Sequence, residues 1–264
     1  MFEKKKEFKL ITKKNPKSLL PNALTIFSVC LGLSSIKFSL DANYAMAIIV
    51  IGFAAILDTL DGRVARLIKG TSKVGKELDS LTDVISFGVA PGFIMYFWTL
   101  NEIGKFGWMF VLIYTVCCAL RLARFNLMVI EENETWKINF FEGVPSPAAA
   151  GLVLLPLILN LSGLFQFENY ALLSSISILT TSILMVSKIP TYSLKRILIP
   201  RHLAIFLLLG IGIYVSLLIF YTFETLFFSG LIYIFLIPIS YFHYKYKNKT
   251  SLITSNEEET EDIL

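Results

Sequence analysis

Hydrophobic residues fall into eight long runs along the chain, and the short segments between them hold most of the charged residues. Each run approaches the length of about 20 residues that an α-helix needs to cross a bilayer. The pattern therefore predicts an all-α, polytopic membrane protein, a bundle of about eight transmembrane helices. The predicted spans are Asn22–Leu40, Asn43–Leu60, Asp79–Trp98, Gly104–Leu122, Pro147–Gly163, Tyr170–Val186, His202–Tyr221 and Leu226–Phe242.

The composition of the chain supports the same class of protein. Of its 264 residues 55% are hydrophobic, and the mean hydropathy is +0.67. Soluble domains are about 45–50% apolar on a broad count. The net charge is +4, and we expect membrane lipids, rather than nucleic acid, as partners.

Lysine and arginine residues predict the orientation of the helices, because cytoplasmic loops carry most of these residues. With a cytoplasmic N-terminus, 22 of the 24 lie on the cytoplasmic side, and Lys37 and Lys105 lie outside. We therefore expect both termini on the cytoplasmic side of a membrane, the plasma (inner) membrane of a prokaryote.

The two ends of the chain differ in charge. Residues 1–18 form a basic cytoplasmic segment, and the long apolar run that follows is not typical of a cleaved signal peptide. Residues 188–249 contain the last two predicted spans, to which the sequence assigns no role. Residues 250–264 are acidic and polar, which predicts a disordered tail.

Cysteine and histidine residues offer little for catalysis. Cys30, Cys117 and Cys118 all lie in apolar segments, which favours packing over a disulfide framework or a metal site. The only histidines, His202 and His243, are far apart in sequence. The pattern argues against a histidine-based zinc site or a Ser-His-Asp triad.

The most unusual segment is "DTLDGRVARLIKGTSKVGKELDSLTD", residues 58–83, which places four aspartates between two apolar runs. Asp58 and Asp61 share one face of a helix, and Asp79 and Asp83 share one face of the next helix. A short basic loop with two glycines as helix breakers, Gly70 and Gly75, separates the pairs. If the two helices form a hairpin, all four carboxylates converge near its cytoplasmic end.

Converging carboxylates repel one another and need counter-charge. Mg²⁺ or Mn²⁺ suits oxygen ligands of this kind, and two such ions are typical of sites for phosphoryl chemistry. The small residues Gly62 and Ala65 leave room for a phosphorylated ligand beside the helix. Arg66 adds a fork of hydrogen-bond donors for its phosphate oxygens.

Together these residues read D-x2-D-G-x2-A-R-x8-G-x3-D-x3-D, and every specified position is filled in residues 58–83. This string resembles the signature of the CDP-alcohol phosphatidyltransferases, membrane enzymes that make phospholipids. The resemblance covers residues 19–187, the six-helix catalytic core of that family, and leaves the last two spans outside it.

The resemblance implies a substrate, a mechanism and a set of site residues. The substrate would be CDP-diacylglycerol, with CMP leaving when an alcohol attacks the lipid phosphorus. Two divalent ions would be held by Asp58, Asp61 and Asp79, with Asp83 at the second ion and also the general base. The residues implied to bind the CDP-lipid are Asn22, Thr25, Gly62, Ala65, Arg66 and Gly75. The protein would be a homodimer.

Three further strings resemble the phosphatidylserine synthase branch of the family. They are "SFGVAPG" at 86–92, "ALRLARFN" at 119–126 and "FEGVPSPAAAG" at 141–151. The branch implies L-serine as the acceptor alcohol. Its carboxylate needs a cation, and Arg121 and Arg124 lie three residues apart near a helix end, while Asn126 and Ser146 offer hydrogen bonds.

Other interpretations stay open at this point. Glycerol 3-phosphate, inositol phosphate or choline are alternative acceptors, and the two arginines are also explained by positive-inside anchoring. An ion-coupled transporter would use aspartates as an ion path, with acids near the bilayer midplane and discontinuous helices. A scaffold protein with a decayed site would show gaps in the motif, and the motif has none.

Overall fold

The structure, a computed structural model, describes residues 19–68, 70, 73–127, 140–193 and 201–261. The predicted basic segment 1–18 lies outside the described residues. Two strands, β1 (Phe140–Glu142) and β2 (Pro190–Tyr192), pair antiparallel. The helices are α1 (Leu19–Leu40), α2 (Tyr44–Leu67), α3 (Lys73–Asp83), a π-helix (Val84–Val89), α4 (Ala90–Trp98), a 3₁₀-helix (Leu100–Ile103), α5 (Lys105–Leu127), α6 (Ser146–Val153), α7 (Leu155–Ser162), α8 (Tyr170–Val186), α9 (Arg201–Phe220) and α10 (Thr222–Glu261).

The described chain confirms the all-α membrane fold. Six helical segments are long and apolar enough to cross a bilayer, and all six correspond to predicted spans. The other two predicted spans are helical but shorter. Residues 147–163 are divided between α6 and α7, of eight residues each, and α8 has 17 residues.

The break between α6 and α7 follows from a proline. Pro156 lacks an N–H group, so it cannot donate to the carbonyl of Leu152 four residues earlier. The Ser177 hydroxyl of α8 donates to that carbonyl instead, at 2.8 Å. The interruption therefore leaves no unpaired carbonyl at this position, which matters where water is absent.

A second proline explains the π-helix between α3 and α4. Pro91 cannot donate to the carbonyl of Phe87, and the buried Tyr114 hydroxyl of α5 donates to it at 2.7 Å. Thr115 donates to the neighbouring carbonyl of Gly88 at 3.3 Å. The π-helix begins directly after Asp83, so α5 fixes the backbone beside that aspartate.

Small residues allow α1 to pack closely against α2 and the π-helix. The Ser28 hydroxyl donates to the carbonyl of Ala54 on α2 at 3.0 Å. The Ser86 hydroxyl of the π-helix donates to the carbonyl of Ser28 at 3.3 Å. Gly32 faces Ser86 directly. Close approach of backbones through small residues is typical of helices packed in membranes.

Several predicted boundaries at the charged end of the helices are wrong. Helix α2 continues beyond the predicted end at Leu60 to Leu67, and α3 begins at Lys73 rather than at Asp79. Gly75 therefore lies within α3 instead of breaking the helix. Gly70 does lie outside the helices, and its N–H donates to the carbonyl of Ala65 at 2.9 Å. Charged residues with good helix propensity extend these helices past their apolar runs.

Helix α10 differs from the sequence prediction at its C-terminal end. It continues through residues 250–261, where the composition predicts a disordered tail. Glutamate has a high helix propensity, and no glycine or proline interrupts this part of the helix. Near its other end, α10 packs closely on α7, because a Cβ at Gly230 would overlap the side chain of Leu155.

Substitution of Gly32 by alanine tests the packing of α1. The new Cβ would lie 2.5 Å from Ser86 Oγ and 2.9 Å from Ser86 Cα, so the helices must separate. We expect a loss of about 1–3 kcal/mol in stability, measured as a lower Tm in detergent. Gly52→Ala is the matched control, since no heavy atom lies within 4 Å of its Cβ. Equal Tm values for the two variants would contradict this packing.

Candidate active site

The helix pair α2 and α3 brings the predicted aspartates together. One carboxylate oxygen from each of Asp58, Asp61 and Asp79 lies within 4.8 Å of the other two. The two helices lie on either side of the short connection that contains Gly70. The spacing of three and four residues places each pair on one helix face, as the sequence predicts. The cluster has the donor chemistry of a site for a hard divalent cation.

Asp83 lies on the Asp58 side of the cluster. Its carboxyl group is within hydrogen-bonding reach of the Asp58 carboxyl group and interacts with Asp79. The Oδ1 atoms of Asp58 and Asp83 are both buried and lack a hydrogen-bond partner among the described residues. Buried carboxylate oxygens without a partner are costly. These unpaired atoms fit an ion or a protonated ligand group at this position.

Helix α1 supports the cluster from the other side. The Thr25 hydroxyl donates to Asp61 Oδ2 at 2.5 Å, and both side chains are buried. This hydrogen bond fixes one carboxylate oxygen of Asp61. Thr25 therefore orients an aspartate, in addition to its predicted place in the CDP-lipid site.

A cavity of about 480 Å³ opens beside the cluster. All six residues predicted to bind the CDP-lipid line it, together with two of the aspartates. Its lining residues are Pro21, Asn22, Thr25, Asp61, Gly62, Ala65, Arg66, Gly70, Gly75, Lys76 and Asp79. The structure therefore brings the predicted residues of α1, α2 and α3 into one site.

The shape of the cavity depends on small residues. A Cβ at Gly62 would meet only the Arg66 guanidinium, with Nη1 at 3.7 Å. Arg66 also interacts with the charge of Asp79. The glycine thus leaves space next to both an arginine and the aspartates, which suits a ligand with phosphate groups.

Sequence reasoning missed Lys76 as a lining residue. The predicted third span begins at Asp79, which places Lys76 in the basic loop before it. Lys76 instead lies in α3, three residues before Asp79 and therefore on the same helix face. Lys76 reaches the site because α3 begins at Lys73, six residues before the predicted start of the third span at Asp79.

The residues predicted to bind serine separate into two groups. Arg121 and Ser146 lie together: Arg121 is 7% exposed, and its Nη1 donates to Ser146 Oγ at 2.6 Å. The Arg121 guanidinium also interacts with the charge of Asp83. Its Nε is buried without a hydrogen-bond partner among the described residues. This pair therefore adjoins the aspartate cluster, and the Nε group of Arg121 is left to donate a hydrogen bond to a ligand.

Arg124 and Asn126 make contacts between helices instead. The Arg124 guanidinium donates to the carbonyls of Val186 and Ser187, at 2.8 and 3.2 Å. These carbonyls lie at the C-terminal end of α8, where cations are favourable. Asn126 Nδ2 donates to Ser80 Oγ on α3 at 2.8 Å. Both side chains hold neighbouring helices in position around the cluster.

The string at 141–151 also has a structural role. Gly143 has a φ of +74°, and a Cβ there would lie 2.6 Å from the carbonyl oxygen of Met185. Glycine is the residue that best tolerates this backbone conformation. The chain thus passes tightly over the end of α8 and enters α6 at Ser146, which places Ser146 beside Arg121.

Comparison with known proteins is consistent with this site. Residues 18–222 match the sequence profile of the CDP-alcohol phosphatidyltransferases, so the match continues beyond the predicted core through α9. A protein of Mycobacterium leprae described as a CDP-diacylglycerol–serine O-phosphatidyltransferase is 40% identical over 187 residues, which are 70% of this chain and 62% of that protein.

Two further relatives carry the same description. The Helicobacter pylori protein (strain 26695) is 41% identical over 183 residues, 69% of this chain and 76% of that protein. The Bacillus subtilis protein is 34% identical over 177 residues, 67% of this chain and 92% of that protein. The match to the family profile covers most of the chain, including every aspartate of the cluster. The chain belongs to the CDP-alcohol phosphatidyltransferase family.

Proposed function

We propose that this chain is a CDP-diacylglycerol–serine O-phosphatidyltransferase, an integral membrane enzyme that makes phosphatidylserine and CMP. The observation that carries the proposal is the position of the aspartate cluster. It adjoins the cavity through Asp61 and Asp79, and it adjoins Arg121 and Ser146 through Asp83. The descriptions of the relatives in M. leprae, H. pylori and B. subtilis support serine as the acceptor.

The cavity beside α1 and α2 suits the CDP end of the lipid. Arg66 and Lys76 supply positive charge for the diphosphate, and Gly62 and Ala65 leave room for the nucleotide. Asn22 and Thr25 line the same space from α1. The lipid chains stay in the bilayer, because the helices around the cavity expose apolar residues outward.

Asp83 is the general base in this proposal. The hydroxyl oxygen of serine attacks the phosphorus that carries diacylglycerol, and the bond from that phosphorus to the bridging oxygen breaks. CMP leaves with the bridging oxygen, and the serine proton moves to the unpaired Oδ1 of Asp83. Asp58 lies beside Asp83 in the cluster.

The aspartates would also hold Mg²⁺ or Mn²⁺. Asp58, Asp61 and Asp79 would be ligands of one ion, and Asp83 would contact a second. When bound, such ions offset negative charge on the diphosphate and on the leaving CMP. Thr25 holds Asp61 in position through its hydrogen bond.

The number of arginines available beside the cluster favours serine over phosphorylated acceptors. Arg121 adjoins the cluster, whereas Arg124 is engaged with the end of α8. One guanidinium suits the single charge of the serine carboxylate, while a phosphate group would draw on more cations. Choline has no carboxylate for Arg121. Another acceptor alcohol and an ion-coupled transporter stay as outcomes of the assay below.

The cellular arrangement completes the proposal. The excess of lysine and arginine on one side supports a cytoplasmic active site with both termini on that side. The proposed location is a prokaryotic plasma membrane. The proposed assembly is a homodimer. The apolar residues 203–220 of α9 lack cover within the protomer, so either lipid or a second copy must surround them. Cross-linking in membranes would measure the assembly.

The first test supplies purified protein with CDP-diacylglycerol, Mg²⁺ or Mn²⁺, and one alcohol at a time. Serine-dependent CMP release with phosphatidylserine as product is the expected result. Asp83→Asn should reduce the rate by at least about 10²-fold, since general-base catalysis contributes about that much or more, with CDP-diacylglycerol binding retained. Product with another alcohol would overturn serine as the acceptor. The absence of CMP release with every alcohol would favour a transporter.

Metal binding can be measured without turnover. We expect Asp61→Asn to weaken Mn²⁺ binding by about tenfold or more, because a neutral amide replaces a charged ligand. Electron paramagnetic resonance of free Mn²⁺ during titration gives the affinity. Asp41→Asn is the control, since Asp41 is exposed and paired with Lys37 at 2.5 Å. An unchanged affinity in Asp61→Asn would remove this residue from the metal site.

Paired arginine variants separate the acceptor site from helix bracing. Arg121→Lys should raise the KM for serine about tenfold and leave the KM for CDP-diacylglycerol within about twofold, through loss of a bidentate donor. Arg124→Lys should lower the Tm without a selective effect on serine, because it loses contacts to α8. A selective serine effect in Arg124→Lys alone would reverse these assignments.

A further inference from the structure

We propose that Tyr233 of α10 is a specificity-determining residue, whose hydroxyl binds the carboxylate of the acceptor together with Arg121. The inference rests on the proposed function and extends it to a helix outside the six-helix core. The family match ends at residue 222, eleven residues before Tyr233. Neither the aspartate motif nor the three strings of the serine branch include any residue of α10.

One face of α10 packs against the protein and carries Tyr233. Phe227, Ile237 and Ser240 on this helix are buried, at 8%, 9% and 0% exposure. Gly230 meets Leu155 of α7. Their spacing of three or four residues defines one helix face, and Tyr233 falls in the same series. The side chain of Tyr233 is therefore directed toward the bundle rather than toward lipid.

The hydroxyl of Tyr233 ends in a polar environment. It is within hydrogen-bonding reach of the Thr191 side chain in β2, whose own hydroxyl hydrogen is donated to Gly143, and it interacts with the charge of Arg121. The hydroxyl oxygen is buried and lacks a hydrogen-bond partner among the described residues. A buried tyrosine hydroxyl usually has a partner, and an unpaired one is costly. A phenylalanine would fill the same space without this cost.

Arg121 presents the matching unpaired donor. Its Nη1 donates to Ser146, while Nε, in a side chain more than nine-tenths buried, is unpaired among the described residues. A carboxylate has two oxygens and accepts several hydrogen bonds. It would satisfy the Nε donor of Arg121 and the hydroxyl donor of Tyr233 together. Both unpaired groups are thus explained by one ligand group of the acceptor.

The geometry around β2 links this site to the end of α8. Thr191 Oγ1 donates to the carbonyl of Gly143 at 2.8 Å, and Gly143 lies three residues before Ser146. β2, the start of α6 and α10 therefore converge at Arg121. Acceptor selectivity would then depend on residues within the region of the family match and on Tyr233 beyond it, which binds the carboxylate.

The experiment compares Tyr233→Phe with Tyr241→Phe, which removes a hydroxyl from a side chain of the same helix that is 45% exposed. CMP release is measured with L-serine and with L-serinamide, which lacks the carboxylate. We expect Tyr233→Phe to raise the KM for serine about tenfold, the value of one hydrogen bond to a charged group. The preference for serine over serinamide should fall by a similar factor.

The other parameters define a role in recognition rather than stability. In Tyr233→Phe the KM for CDP-diacylglycerol should stay near the wild-type value and the Tm should stay the same or rise, because a costly buried hydroxyl is removed. Tyr241→Phe should match the wild type throughout. Tyr233→His, which keeps a ring N–H donor, should retain more of the serine preference than Tyr233→Phe. This second variant tests the donor even if the phenylalanine variant is poorly folded.

Two results would overturn the inference. One is an unchanged preference for serine over serinamide in Tyr233→Phe. The other is an equal loss with both acceptors and a lower Tm, which would indicate packing alone. A failure of the proposed function is distinct from these results, because it would be evident in the wild type as an absence of serine-dependent CMP release.

Discussion

Repulsion among carboxylates is the constraint on which the rest of this structure depends. Asp58, Asp61 and Asp79 hold oxygens within 4.8 Å of one another at one end of a helix pair. Like charges at this separation are unfavourable, and more so where water is scarce. The surrounding helices therefore have to hold the cluster together. α1 does so through Thr25, and α5 does so through Asn126, which holds α3 at Ser80.

Prolines in the bundle create a second demand that neighbouring helices meet. Pro91 and Pro156 each leave a carbonyl without its usual N–H donor, and a hydroxyl from another helix supplies the missing hydrogen bond. In a bilayer, backbone groups have few other partners. Each irregularity is thus also a contact between helices, and the one at Phe87 lies four residues after Asp83.

The sequence predicts the membrane bundle and the aspartate cluster well, because both depend on local patterns. Apolar runs mark spans, and spacings of three or four place side chains on one face. The charged ends of the helices are harder to predict. Helix α3, for example, begins at Lys73, six residues before its predicted apolar run. Lys76 was missed for this reason. Contacts that depend on tertiary packing, such as those of Arg124 with the end of α8, cannot be predicted from the spacing of residues along the chain.

Tyr233 illustrates a further limit of local patterns. Within an apolar run, a tyrosine is typical of any membrane helix, and only the packing of α10 on α7 and β2 gives its hydroxyl a polar neighbour. The unpaired groups of Tyr233 and Arg121 come from helices far apart in the chain, α10 and α5. Their relation is a property of the assembled bundle. The ligand roles of both residues stay predictions.

The pairing of β1 with β2 has a consequence for synthesis. Phe140 lies opposite Tyr192, so the ladder joins segments separated by the whole of α6, α7 and α8. During translation β1 leaves the ribosome without a partner, and it stays unpaired until α8 has been made and inserted. The entrance to α6, with Ser146, is therefore fixed late. A nascent chain would carry the complete aspartate motif well before its acceptor side is enclosed.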